Sequence, residues 1–290
     1  VFAFLIALAA QAAAPAAQAG PPQPPPRPDA QPASSHLTDE EAFEECAKLA
    51  KSDANKAVDV AGDWLIKGGG ISARQCLGLA YVALERWTPA ATTFEQASQE
   101  AEAAKDARAA DLRIQAGNSW LAADDGAKAR PDFDAALAAA TLPPQLNGEV
   151  HIDRARAGVA LGDLAGARAD LDKAIELVPA DPMTWYLSAA LWLRQEAVPR
   201  AQADIAKALA LAPDDAGILL QAGTIAGVAG DLDGARAFYT RAIQAAPGSD
   251  IAHAAEQALA ADGSDQPSAP AKPPTPVKAP APSAKKAQPK

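Results

Sequence analysis

Between residues 148 and 249 the apolar positions follow one arrangement three times over. A small residue stands at Ala155, Ala189 and Gly223, and an alanine follows twelve places later at Ala167, Ala201 and Ala235. A bulky apolar residue stands four beyond that, at Leu171, Ile205 and Tyr239, and another alanine three further on, at Ala174, Ala208 and Ala242. Each set closes with a proline, and Pro179, Pro213 and Pro247 lie 34 residues apart. Steps of three and four mark one face of a helix, and two such faces in a 34-residue period predict a unit of two helices joined by a turn. Gly162-Asp163 and Gly230-Asp231 fall between the two faces, where the glycine ends the first helix and the aspartate caps the second. The closing proline stops the second helix. Helices this short are unstable alone, so each must bury its face against its neighbours.

Weaker copies of the pattern precede these three. Residues 71-104 carry Leu77-Gly78, Tyr81, Ala90, Phe94 and Ala97, and with no proline to close the unit its second helix is expected to run to about residue 108. Residues 110-143 carry Gly117, Trp120, Ala129, Phe133 and Ala136, closed by Pro143-Pro144, after which a four-residue insertion around Gln145-Gly148 restarts the frame. Thr38-Asp39-Glu40-Glu41 is a capping box opening a further helix pair that ends at Gly68-Gly69-Gly70, with Trp64 on its second helix. Residues 250-261 read as the solvating helix that the end of such an array needs.

At these residues the chain resembles the tetratricopeptide repeat family. The family pattern of Trp, Leu-Gly, Tyr, Ala, Phe, Ala and Pro is best kept in residues 182-215, by Trp185, Trp192, Ala201, Ile205, Ala208 and Pro213, with Ser188-Ala189 where Leu-Gly is usual. The resemblance implies an all-α, right-handed α-solenoid of about six units, at 38-70, 71-104, 110-143, 148-181, 182-215 and 216-249, with the cap helix at 250-261. It also implies that the first helix of each unit lines a concave groove that binds a protein partner. Transferring the family's groove places gives Asp111, Ile114 and Asn118, then Ile152 and Arg156, then Met183, Tyr186, Leu193 and Arg194, then Leu220 and Thr224. Family members that grip a terminal carboxylate use a lysine at the fifth place, where this chain has Gln75, Ile114, Ile152, Tyr186 and Leu220. The expected ligand is therefore an apolar extended peptide or a helix. Each aliphatic residue in the set has an alternative role, packing between adjacent first helices.

Composition changes abruptly outside the array. Residues 1-10 are apolar and uncharged, and Ala17-Gln18-Ala19 before Gly20 fits signal-peptidase cleavage, so 1-19 read as a secretory signal whose basic start precedes Val1. The apolar run is too short to span a bilayer, and an integral membrane protein is not expected. Residues 20-37 form a Pro/Ala-rich linker, and 263-290 a disordered Pro/Ala/Lys-rich tail. The expected location is the periplasm of a Gram-negative bacterium, or outside the cell. The chain carries a net charge of −10, but its tail, with five lysines against Asp265, is about +4. An acidic body argues against nucleic acid, while the tail reads first as a solubilising spacer, with contact to an anionic envelope surface as the alternative.

Little else points to chemistry. Cys46 and Cys76 lie on first helices of adjacent units and read either as a disulfide stapling the N-terminal end or as two small buried residues. Neither has the companions of a metal site, and no cofactor is expected. His36, His151 and His253 have no spaced partner that would suggest a triad. Asp124-Asp125 and Asp170-Asp172 read as solvated turn and helix charges. The chain is expected to be a non-catalytic scaffold in envelope assembly or a cell-wall or secretion complex. A carrier of an envelope glycan or small ligand is the alternative, and a repeat-spanning enzyme the weakest reading.

Overall fold

The structure, a computed structural model, describes residues 38–139 and 142–262. The expected signal peptide (1-19), linker (20-37) and tail (263-290) lie outside the described residues. Among the described residues there are thirteen α-helices and no strand. They are α1 (Asp39–Ser52), α2 (Ala54–Ile66), α3 (Gly70–Ala83), α4 (Trp87–Ala104), α5 (Ala109–Ala122), α6 (Gly126–Ala138) and α7 (Pro144–Ala160). Then follow α8 (Leu164–Leu177), α9 (Pro182–Arg194), α10 (Val198–Leu211), α11 (Ala216–Val228), α12 (Leu232–Ala245) and α13 (Asp250–Asp262). Each helix packs on the next, and first helices of successive units also touch, α5 with α7, α9 with α11 and α11 with α13.

The eighth and twenty-fourth places of the unit are matched to each other in size. A Cβ added to Gly78 would meet the Phe94 ring at 2.5 Å, one on Gly117 would meet Phe133 at 2.7 Å, and one on Gly223 would meet Tyr239 at 2.5 Å. Where the twenty-fourth residue is aliphatic, Leu171 or Ile205, the eighth is alanine, Ala155 or Ala189, and all four are buried. Ring with glycine and aliphatic with alanine are two ways of filling the same volume at interior packing density.

From residue 71 on, the turn inside each unit puts one residue in the left-handed region: Glu85 (φ 54°), Asp124 (59°), Gly162 (77°), Glu196 (60°) and Gly230 (85°). The next residue caps the second helix wherever it is aspartate. Asp163 accepts from the Gly166 amide at 2.9 Å, Asp231 from Gly234 at 2.9 Å and Asp125 from Lys128 at 3.1 Å.

Two boundaries differ from expectation. Helix α4 stops at Ala104 instead of near residue 108, because Lys105 turns left-handed (φ 55°) and the Asp106 amide closes back on the Ala101 carbonyl at 2.8 Å. Asp106 fixes the turn by accepting from the Arg108 amide and guanidinium, bonds that hold its carboxyl down at about 2. The inserted residues before Gly148 are helical. They are the first turn of α7, which starts at Pro144, where a proline's missing amide removes no helical hydrogen bond.

At the N-terminal end, Thr38 and Glu41 form the capping box of α1. Cys46 on α1 and Cys76 on α3 are joined by a disulfide with their Cα atoms 6.1 Å apart, in a small cluster with Phe43, Ala61 and Leu77. No helix among the described residues is long and apolar enough to cross a membrane.

Candidate functional site

The first helices present a face that divides sharply along the array. On α5 the second, sixth and ninth places of the unit hold Asp111, Gln115 and Asn118, and on α7 the same places hold Glu149, Asp153 and Arg156. Residues spaced i, i+4 and i+7 share one side of a helix, and α5 packs beside α7, so these six form a polar ladder two rungs wide. On α9 the same places turn apolar, with Met183, Leu187 and Ala190.

The ladder is rich in acceptors. Arg156 Nη1 donates to Asp153 Oδ1 at 3.0 Å, and Gln145 Nε2 donates to Glu149 Oε1 at 3.1 Å. Burial pushes the Asp153 carboxyl up, opposed by Arg156 and by the Asn118 amide and reinforced by Glu149. With the Asn118 amide nitrogen turned to Asp153, its Oδ1 is buried without a hydrogen-bond partner, as is Gln115 Oε1. Arg156 is thus a bound member of the ladder and no free anchor.

Farther along, Tyr186 and Leu193 are half-buried against the cluster of Ile205, Ile218 and Ile225, and burial raises the Tyr186 hydroxyl. Met183 packs on Val178 and Ala174, and Leu220 on the cluster of Leu219 and Tyr239. Thr224 Oγ1 donates to the Leu220 carbonyl at 3.1 Å, and Val228 and Arg194 are exposed. Two sequence-derived groove residues are corrected. Ile114 is 9% exposed, packed with Trp120, Phe133 and Val150, and Ile152 is 5% exposed, packed with Ala174 and Val178. Their β-branched side chains fill the seam to the following unit, so the fifth place on α5 and α7 is core and the sixth carries the open polarity. Asp153 and Gln115 were missed for that reason, although their i, i+4, i+7 relation to the ninth and second places is visible in the sequence.

No family model matches the sequence, and neither does any curated protein. Solved structures do match by shape. The crystal structure of PilW, described as a widely conserved type IV pilus biogenesis factor, is 18% identical with a TM-score of 0.64, covering 76% of this chain and 98% of that one. PilF of Pseudomonas aeruginosa is 18% identical at TM-score 0.58, covering 76% and 99%. A protein of Thermus thermophilus, TTC0263, described as a thermophilic TPR protein, is 22% identical at 0.54, covering 66% and 100%. The fold is that of a tetratricopeptide repeat array.

Within the tetratricopeptide array the twenty-third place carries a row of three carboxylates that lock second helices to first. Asp132 Oδ1 accepts from Arg113 Nη1 at 2.9 Å. Asp170 accepts from Arg154 Nε and Nη2, and its Oδ1 lies 2.8 Å from His151 Nδ1, which fixes the ring proton on that nitrogen. Asp204 Oδ2 accepts from Ser188 Oγ at 2.6 Å and Trp192 Nε1 at 3.1 Å. Asp170 is therefore no solvated charge. It is 6% exposed, and though burial pushes its carboxyl up, His151 and Arg154 hold it below the usual value. Asp172 remains exposed and pairs with Arg168 at 2.8 Å, as the sequence suggests. His151 and Asp170 form a pair that ties α7 to α8, and no Ser, Thr or Cys side chain is bonded to His151 among the described residues.

Proposed function

We propose that this chain is a protein-interaction scaffold that holds a segment of a partner on the face formed by its first helices. The observation that carries this is the ladder on α5 and α7, where carboxylates and two unpartnered amide oxygens outnumber the single guanidinium, beside the apolar stretch of α9 and α11. Such a face suits a segment with a basic residue at one end and apolar residues at the other, because the cation supplies the missing donors while apolar groups cover Tyr186, Leu193 and Val228. The Asn118, Tyr186 and Arg194 assignments carry over from the sequence, with Asp153 and Gln115 added. The chemistry is binding alone.

We further place this scaffold in the cell envelope, exported through a signal at 1-19, with the tail at 263-290 touching an anionic surface. The buried Cys46–Cys76 disulfide favours an oxidising compartment, and likeness in fold to a pilus biogenesis factor is in keeping with envelope assembly. Crosslinking with affinity capture of the full chain tests the scaffold, run beside a variant carrying Asp111→Lys and Arg194→Glu. Both residues are exposed, so the exchange alters the face without disturbing the core. Partners caught by the parent and lost from the variant support the proposal, and the same catch from both sinks it.

A further inference from the structure

Asp132 is 2% exposed, and its Oδ2 is buried without any hydrogen-bond partner. Its one donor, Arg113, is shared, since Arg113 Nε and Nη2 reach Glu102 at 2.8 and 3.2 Å. The charges around it come from each packed helix. Helix α4 brings Glu95 and Glu102 and α5 brings Arg113, while the other nearby cations are engaged elsewhere, Lys128 of α6 with Asp125 and Arg154 of α7 with Asp134 and Asp170. Lys128 lies over the Trp120 ring at 4.3 Å and pairs with Asp125, and Trp120 Nε1 donates to Glu95 at 2.7 Å. A charged Asp132 therefore sits with two carboxylates, half of one guanidinium and an oxygen facing nothing. The equivalent Asp170 has two donors of Arg154 and the His151 ring, with both its oxygens bonded, so the position as such does not impose the deficit.

We propose that Asp132 is a proton-operated joint between the units at 71-104 and 110-143, whose neutral, protonated carboxyl is the form the folded array prefers. Protonation removes the repulsion from Glu95 and Glu102, spares a charged oxygen its burial without a donor and leaves Arg113 to Glu102. Burial and the two glutamates raise the carboxyl to about 6. A carboxyl raised on folding stabilises the fold below its unfolded value, and that contribution is lost as pH rises through about 6. Between pH 7 and pH 5 the folding equilibrium gains roughly tenfold from this one group.

The test is a carboxyl carbon NMR titration of the full chain, with Asp170 as internal control. The expected result is an Asp132 midpoint near 6 and an Asp170 midpoint below the usual aspartate range. Urea unfolding between pH 7 and pH 5 should then show the wild-type gaining about tenfold in folding equilibrium over Asp132→Asn. An Asp132 midpoint at or below the usual aspartate value overturns the proposal, and this readout stands even if the variant fails to fold. A raised midpoint that stays in place in Glu95→Gln shows that α4 exerts no charge on Asp132 and overturns the joint as drawn.

Discussion

The units at 110-143 and 148-181 share a frame and differ in how they fill it. The first closes its helix pair with Gly117 against the Phe133 ring, leaves Asp132 short of donors and turns through Asp124. The second uses Ala155 with Leu171, gives Asp170 two basic partners and turns through Gly162. The repeat pattern thus fixes where a side chain sits and leaves its energy to the neighbours. A buried carboxylate at the twenty-third place is a cost in one unit and an anchor in the next.

The largest effect separating the two units is expected from Asp170→Ala, which strands Arg154 and His151 at a buried site and should cost about 3 kcal/mol at neutral pH. The stabilisation that Asp170 provides is present above the usual aspartate value and fades as pH falls through its lowered folded value, the reverse of Asp132. Urea unfolding at two pH values measures both, and equal loss from Asp170→Ala and Asp132→Ala would dissolve the contrast. Next comes the packing pair. Gly117→Ala drives a methyl into the Phe133 ring and should cost about 2 kcal/mol, whereas Ala155→Gly, which loses helix propensity and the methyl packed in the Leu171 cluster, should cost about 1.5 kcal/mol. Adding Phe133→Leu should recover much of the Gly117→Ala loss, a coupling that a double-mutant cycle on thermal stability would read; additive losses would show that the two places are not matched. The smallest effect lies in the turns. Gly162→Ala should lose about 1 kcal/mol at its positive φ, and Asp124→Gly should change stability by only a few tenths, because aspartate tolerates that conformation.

Much of this was legible in the sequence because it is carried by spacing. The 34-residue rhythm of Ala167, Ala201 and Ala235 and the closing prolines mark the helix pairs, and Gly78, Gly117 and Gly223 stand opposite the rings that need them. What spacing does not carry is which neighbour a charge meets. Asp170 looks like a surface charge beside Asp172 until the fold brings Arg154 and His151 to it across the helix pair. Ile114 and Ile152 stood at family groove places, yet the seams to the following helices needed filling and took them, Ile114 against Val150 of α7 and Ile152 against Ala174, Met183 and Leu187 of α8 and α9. The early stop of α4 rests on one left-handed lysine and the Asp106–Arg108 clasp, both too local to show in periodicity.

The disulfide at the N-terminal end has a mechanical consequence. Tension entering the array at residue 38 runs along α1 only as far as Cys46, then crosses directly to α3 through Cys76, 30 positions further on. The intervening stretch, α2 included, is shunted out of the load path, so pulling on the leading end can unwind α1 only up to Cys46 and leaves α2 folded.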